Sequence, residues 1–184
     1  RQSARRYFEL NGLGAGMADI GGEAPISAGM AEPLALYVHW PFCVSKCPYC
    51  DFNSHVRESV DQAVWRDALL ADLQHEAALL PGRTVGSIFF GGGTPRLMPP
   101  ATRPAVVAGA GGGWGLTSDV EITLEANPNS VEVANFADLA AAGVNRVSIG
   151  VQSFDSEVLE FLGRAHSENE ARRAIAAAQE HFAR

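Results

Sequence analysis

Short apolar runs alternate with segments of helical periodicity along the chain from residue 34 onward. Four runs have the length and the flanking turn residues of buried strands, at residues 34–40, 85–90, 120–126 and 146–151. Apolar residues spaced as on one face of a helix fill the intervals, at residues 59–80, 101–109, 133–140, 155–162 and from 167 onward. This alternation predicts an α/β fold in which helices cover a parallel sheet. About four βα units are half of an eight-unit barrel. Because the chain stops where another strand is expected, we predict a partial (β/α) barrel, truncated before it is complete.

The segment after the second strand is poor in helix-forming residues. Three prolines and four glycines are spread over residues 99–113. Both residue types weaken the interior of a helix, so we predict only a short helix at 101–109, with an irregular link and doubtful folding around it. The last helix has a stronger start, because Ser167 and Glu170 form a predicted capping box.

Composition and charge narrow the class of protein. Apolar residues make up 47% of the chain and the net charge is −7, which indicates a globular protein and argues against a nucleic-acid-binding one. No apolar run approaches the roughly 20 residues of a transmembrane helix. Residues 1–33 are rich in Gly and Ala and lack clear periodicity. We therefore predict a flexible N-terminal extension at 1–33, followed by one core domain at 34–184.

All three cysteines of the chain fall in one eight-residue window, where Cys43, Cys47 and Cys50 follow a C-x3-C-x2-C spacing. An odd number in one cluster does not suit a secreted disulfide framework, so we expect a reducing, cytoplasmic setting. Three soft thiolates at the end of a parallel strand suit an iron–sulfur cluster that leaves one iron open to a small molecule. Zinc is the alternative, with His55 or His39 as a further ligand.

Glycines and polar residues follow the other predicted strands, at the functional edge of parallel α/β folds. Gly92, Gly93 and Thr94 end the second strand. Glycines there let a ligand approach the backbone and expose N–H donors, although a plain tight turn would use the same residues. The later elements end in side chains that could bind an ammonium, hydroxyl or carboxylate group: Glu125, Gln152 and Arg164. Taken singly, each is more often a surface or ion-pair residue.

Together these motifs resemble a known superfamily. The cysteine motif, followed by Gly-Gly-Gly-Thr-Pro at 91–95, is similar to the radical S-adenosylmethionine superfamily. Three longer strings resemble the oxygen-independent coproporphyrinogen III oxidase family within it: Tyr-Val-His-Trp-Pro-Phe-Cys at 37–43, Glu-Ala-Asn-Pro at 125–128 and Gly-Val-Gln-Ser-Phe at 150–154. The resemblance covers about residues 34–184.

The resemblance implies a set of ligands. Cys43, Cys47 and Cys50 would hold a [4Fe-4S] cluster, and S-adenosylmethionine would bind beside it. The positions that match cofactor contacts of the family are Tyr37, Tyr49, Gly92, Gly93, Thr94, Glu125, Gln152 and Arg164. One departure from the family pattern is Arg96, which stands where a small polar residue is usual.

Phe52 separates two branches of the family. The oxidases typically carry a fourth cysteine two residues after the third, and this chain has Phe52 there. The resemblance therefore points to the heme chaperone (HemW-like) branch, whose members bind heme as cargo and pass it to respiratory proteins. The alternative is the oxidase, which decarboxylates a porphyrinogen in heme biosynthesis. A zinc-stabilised binding domain is a remote alternative. The implied partners are heme or porphyrinogen, an electron donor and, for the chaperone, a heme-acceptor protein.

Overall fold

The computed structural model describes residues 32–183. The predicted extension lies almost wholly outside the described residues, so it and the boundary at residue 34 stay predictions. The strands are Leu34–Trp40 (β1), Phe42–Cys43 (β2), His55–Val56 (β3), Val85–Gly92 (β4), Leu116–Ala126 (β5) and Arg146–Ile149 (β6). The helices are Gln62–Leu79 (α1), Thr102–Gly113 (α2), Ser130–Val133 (α3), Phe136–Ala141 (α4), Ser156–Phe161 (α5) and Glu168–His181 (α6).

A four-stranded sheet in the order β1-β4-β5-β6 forms the centre of the described part. Every neighbouring pair in it is parallel, which confirms the predicted α/β fold. Val38, Phe90 and Leu124 lie side by side in register and are buried at 5%, 1% and 1% exposure. Because side chains alternate along a strand, Thr123 and Glu125 project from the other face. Glu125, on that second face, is the penultimate residue of β5 and so lies near the carboxyl end of the strand.

The predicted irregular link after residue 109 is wrong, because α2 continues to Gly113. Packing against α1 explains the difference. A Cβ added at Gly109 would meet Leu73 at 3.4 Å, and one at Gly113 would lie 2.9 Å from Ala77 Cβ. The missing side chains let the two helices approach closely, so tertiary packing overrides the weak helix propensity of glycine.

Several boundaries follow local hydrogen bonds that sequence periodicity does not reveal. Helix α1 begins after Asp61, whose carboxylate accepts the N–H groups of the first turn, and the predicted capping box at Ser167 is confirmed. Strand β5 begins at Leu116, four residues before its predicted start, because that residue already pairs with Val85. Strand β6 ends at Ile149, two residues before its predicted end. In residues 32–183 no helix is both long and apolar enough to cross a membrane.

Candidate functional site

A cavity of about 430 Å³ lies where β4, β5 and β6 end. We call it the cysteine cavity because Cys43, Cys47 and Cys50 all line it. The other predicted site residues that line it are Tyr49, Gly92, Gly93, Thr94, Glu125, Gln152 and Arg164. Residues from five separate parts of the chain thus meet at the carboxyl edge of the sheet, as expected for a parallel α/β fold.

The cysteine loop is held to the rest of the fold at both ends. At its start, Phe42 packs edge-to-face on Trp40 and on Trp65 of α1, with ring centroids 5.3 and 5.0 Å apart. The short β2 then pairs with β3, a small sheet that the sequence did not predict. Further along, Pro48 lies against Gly163, where an added Cβ would come within 3.0 Å. These contacts fix the loop that carries the three thiols.

The N–H groups of Gly92, Gly93 and Thr94, at and just after the end of β4, are all hydrogen-bonded within the protein, which corrects the expectation of exposed N–H donors. Gly92 N–H donates to Glu125 Oε2 at 3.0 Å. The Gly93 and Thr94 N–H groups donate to the Trp40 and Phe42 carbonyls, both at 2.7 Å. A Cβ on Gly93 would lie 2.9 Å from Cys43 Sγ, so glycine is needed here to leave space for the sulfur.

Glu125 is half-buried on the floor of the cavity. Burial raises the pKa of its carboxyl, while the hydrogen bond from Gly92 and the nearby His39 oppose the rise. Tyr37 is the one predicted residue that does not line the cysteine cavity. It stacks on Phe89 with ring centroids 5.9 Å apart and shares with Glu125 the space above Gly91. Tyr37 lines a different cavity, beside β1, and comes close to the cysteine cavity only at the Glu125 carboxylate.

Arg164 joins the cysteine loop to the ends of the strands. Its Nη1 donates to Cys47 Sγ at 3.4 Å and to Tyr49 Oη at 3.3 Å. Its Nη2 donates to Asn127 Oδ1 at 3.0 Å and to the Gly150 carbonyl at 2.9 Å. Within residues 32–183 its Nε is buried and has no hydrogen-bond partner. A guanidinium in this position favours anionic groups in the cavity.

Tyr49 and Gln152 complete the wall of the cavity. Partial burial raises the pKa of the Tyr49 hydroxyl; Arg164 counteracts this rise, and Cys47 adds to it. Gln152 has φ of 65°, a left-handed conformation that residues other than glycine seldom adopt. Such strain costs about 1–3 kcal/mol and clusters at functional sites.

The candidate zinc ligands do not join the cysteines. His39 Nε2 lies 2.9 Å from the Asn53 carbonyl, and His55 Nε2 lies 3.0 Å from Asn53 Oδ1. Both histidines line a separate cavity of about 840 Å³ beside β1. Across the described part of the chain, no three His, Cys, Asp or Glu side chains come together around a single-ion site. In a four-iron cluster each cysteine binds a different iron, so the thiols need not converge on one point as zinc requires.

Sequence reasoning did not identify Glu132 or the role of Asn127. Glu132 is 3% exposed and accepts two hydrogen bonds from Asn127, which in turn accepts from Arg164. Arg96, the departure from the family pattern, places Nε 3.7 Å from Glu132 Oε1. The repeated Asn residues before a short helix were the only signal for this arrangement.

Comparison with known proteins places the chain in a family. The model of the radical SAM superfamily matches residues 37–184. The chain belongs to this superfamily. The matched region includes Cys43, Cys47 and Cys50. The solved structure described as "Coproporphyrinogen III oxidase (HemN) from Escherichia coli is a Radical SAM enzyme" is similar with a TM-score of 0.71 and 33% identity, over 82% of this chain and 35% of that one. This likeness agrees with a partial radical SAM barrel.

Two relatives are more similar to this chain in sequence than the HemN structure is. The chain is 50% identical to the heme chaperone HemW of Escherichia coli K12 over 143 residues, which are 77% of this chain and 38% of that protein. It is 44% identical to the mitochondrial radical S-adenosyl methionine domain-containing protein 1 of Bos taurus over 164 residues, 89% of this chain and 37% of that protein. The chain thus spans well under half the length of these relatives.

Proposed function

We propose that this chain binds a [4Fe-4S] cluster and S-adenosylmethionine and serves in a heme chaperone of the HemW type. The observation that carries the proposal is the meeting of three free thiols and the Arg164 cation in one cavity. The 50% identity to a heme chaperone supports the choice of branch. Phe52, which lines the cavity where the oxidases carry a cysteine, supports it too.

Cys43, Cys47 and Cys50 would hold the cluster. Their soft sulfur donors suit iron–sulfur clusters, and Arg164 beside Cys47 would offset the negative charge of the thiolates. Gly93 leaves the space that the Cys43 sulfur needs. Three ligands leave a fourth iron free for a small molecule.

The remaining wall residues would bind S-adenosylmethionine. The Arg164 guanidinium, which lines the cavity, would attract its carboxylate, and Gln152 lines the same cavity. The Glu125 carboxylate and the nearby Tyr37 suit an ammonium or ribose hydroxyls. When bound together, cluster and cofactor supply one-electron reductive chemistry. The protein holds their charged groups in place and limits access of water.

Heme is the proposed cargo, and a respiratory protein is the proposed acceptor. An electron donor would reduce the cluster. A reducing compartment such as the cytoplasm suits a chain whose three cysteines are all free. The second candidate function is oxidation of a porphyrinogen, and the likeness to the HemN structure favours it.

Anaerobic reconstitution with iron and sulfide tests the cluster. The parent chain should acquire iron, sulfide and a visible absorbance band, with an EPR signal after reduction. Cys47→Ala should lose most of these. Val44→Ala is the control, because Val44 is on the same loop, is 67% exposed and is absent from the cavity wall. Equal iron content in the Cys47→Ala and parent proteins would rule out the cluster.

Two assays on the reconstituted chain separate chaperone from oxidase. Titration with hemin, followed by absorbance, should show saturable binding at one heme per chain. Incubation with coproporphyrinogen III, S-adenosylmethionine and a reductant should yield no decarboxylated product. Steady formation of a vinyl product would reject the chaperone and support the oxidase.

A further inference from the structure

Glu132 is a buried carboxylate that does not line the cysteine cavity. Its Oε2 accepts the Asn127 N–H at 2.6 Å. Its Oε1 accepts from Nδ2 of Asn127 at 3.1 Å and from Nδ2 of Asn129 at 3.2 Å. Arg96 Nε lies 3.7 Å from the same oxygen. Since buried carboxylates are stable only when hydrogen-bonded or paired, this ring of donors explains how Glu132 is tolerated.

The carboxylate determines which way the Asn127 amide faces. A carboxylate only accepts hydrogen bonds, whereas an amide has one donating and one accepting end. Glu132 therefore holds the Nδ2 end of Asn127. The Oδ1 end must then face the opposite direction, where it accepts from Arg164 Nη2 at 3.0 Å.

Arg164 carries this orientation into the cavity. The guanidinium is planar and its donors have fixed directions, so the two acceptors at Nη2, Asn127 Oδ1 and the Gly150 carbonyl, also set the direction of Nη1. Nη1 donates to Cys47 Sγ and Tyr49 Oη. A continuous chain of contacts thus runs from a buried carboxylate to a predicted cluster ligand.

We propose that Glu132 is a positioning residue, which orients Arg164 toward Cys47 and the cofactor through the Asn127 amide. The proposal deepens the function proposed above and rests on it for its effect on the cofactor. In Glu132→Gln an NH₂ group replaces one of the two carboxylate oxygens, both of which accept hydrogen bonds. If it occupies the Oε2 position, it opposes the Asn127 N–H. If it occupies the Oε1 position, it favours a flipped Asn127, whose Nδ2 would then repel Arg164.

The affinity of the reconstituted chain for S-adenosylmethionine tests this effect. Outer-shell partners of metal sites typically change affinity or activity 10–100-fold when mutated, so Glu132→Gln should weaken binding about tenfold or more. Glu157→Gln is the matched control, because Glu157 is exposed and outside the cavity wall, and it should bind like the parent. In an Arg164→Lys background, Glu132→Gln should add little further loss. Full additivity of the two losses would overturn the proposal, since it would mean that Glu132 does not act through Arg164.

NMR of the cluster-free chain tests the positioning directly. In the parent, hydrogen bonds at both Nη atoms should give slowly exchanging Arg164 guanidinium signals. Glu132→Gln should average or broaden them, and Asn127→Ala, which removes the intermediate amide, should do the same. Unchanged Arg164 signals in both variants would overturn the proposal. A parent that takes up neither cluster nor cofactor would reject the proposed function instead, and the NMR result would still decide the role of Glu132.

Discussion

Replacement of Gly93 by alanine places a methyl group directly after β4, against Phe42 and Cys43 at the start of the cysteine loop. The added Cβ would lie 2.6 Å from the Phe42 carbonyl oxygen, 2.8 Å from its carbon and 2.9 Å from Cys43 Sγ. Two of these atoms belong to the backbone, so no side-chain rotation relieves the contact. To reach an ordinary separation of 3.4 Å, the Phe42 carbonyl must move by about 0.8 Å.

The cost follows from the groups that must move. Overpacking a tight site costs roughly 1–3 kcal/mol. Moving the Phe42 carbonyl also weakens the bond that it accepts from Thr94 N–H at 2.7 Å, worth about 1 kcal/mol. We expect Gly93→Ala to lower the free energy of unfolding by about 2–4 kcal/mol and the melting temperature by roughly 5–15 °C.

Urea unfolding followed by tryptophan fluorescence measures this loss, since Trp40 is fully buried beside the loop. Gly112→Ala is the control, because no atom outside the adjacent backbone of α2 lies within 4 Å of a Cβ at that position. It should leave stability unchanged or raise it by up to about 1 kcal/mol. Iron uptake during anaerobic reconstitution should fall in Gly93→Ala and stay at the parent level in Gly112→Ala. If Gly93→Ala unfolds at the same urea concentration as the parent, the inferred close approach of loop and strand is wrong.

Two further predictions concern pH. The pKa of Glu125 is raised above its ordinary value of 4.5, so its contribution to stability is present below pH 4.5 and is lost as pH rises through the raised pKa. Glu125→Gln should gain stability relative to the parent as pH rises toward 7, and equal urea midpoints at every pH would contradict this. Burial lowers the pKa of His166 below its ordinary value of 6.5, so its contribution is present above pH 6.5 and is lost as pH falls. His166→Gln should therefore reduce the loss of stability that the parent shows as pH falls below 6.5. An unchanged dependence of stability on pH would show that another group causes that loss.

The sequence predicted the parts of the site that depend on local order along the chain. Side chains that follow parallel strands meet at one edge of a sheet, so the spacing of the cysteines and the positions of Glu125 and Gln152 were sufficient to group them.

The parts that the sequence did not predict depend on contacts between distant segments. Whether the N–H of Gly93 is free depends on Trp40, 53 residues earlier, whose carbonyl accepts it. Helix α2 forms through glycines because α1 packs closely on it. The positioning role that we propose for Glu132 depends on folding, which places Asn127 next to Arg164. None of these relations has a periodicity or a motif that sequence reasoning could use.

The contact between Arg164 and Cys47 joins residues that are 117 positions apart. During synthesis at about 5–20 residues per second, the interval between the two residues lasts on the order of 10 s. Throughout that time the thiols of a nascent chain lack their cationic neighbour and the far wall of their cavity. Metal delivered early would meet an incomplete site, whereas metal delivered later would meet a closed one. For the cluster proposed above, the order of translation therefore favours supply after Arg164 has reached the cysteine loop.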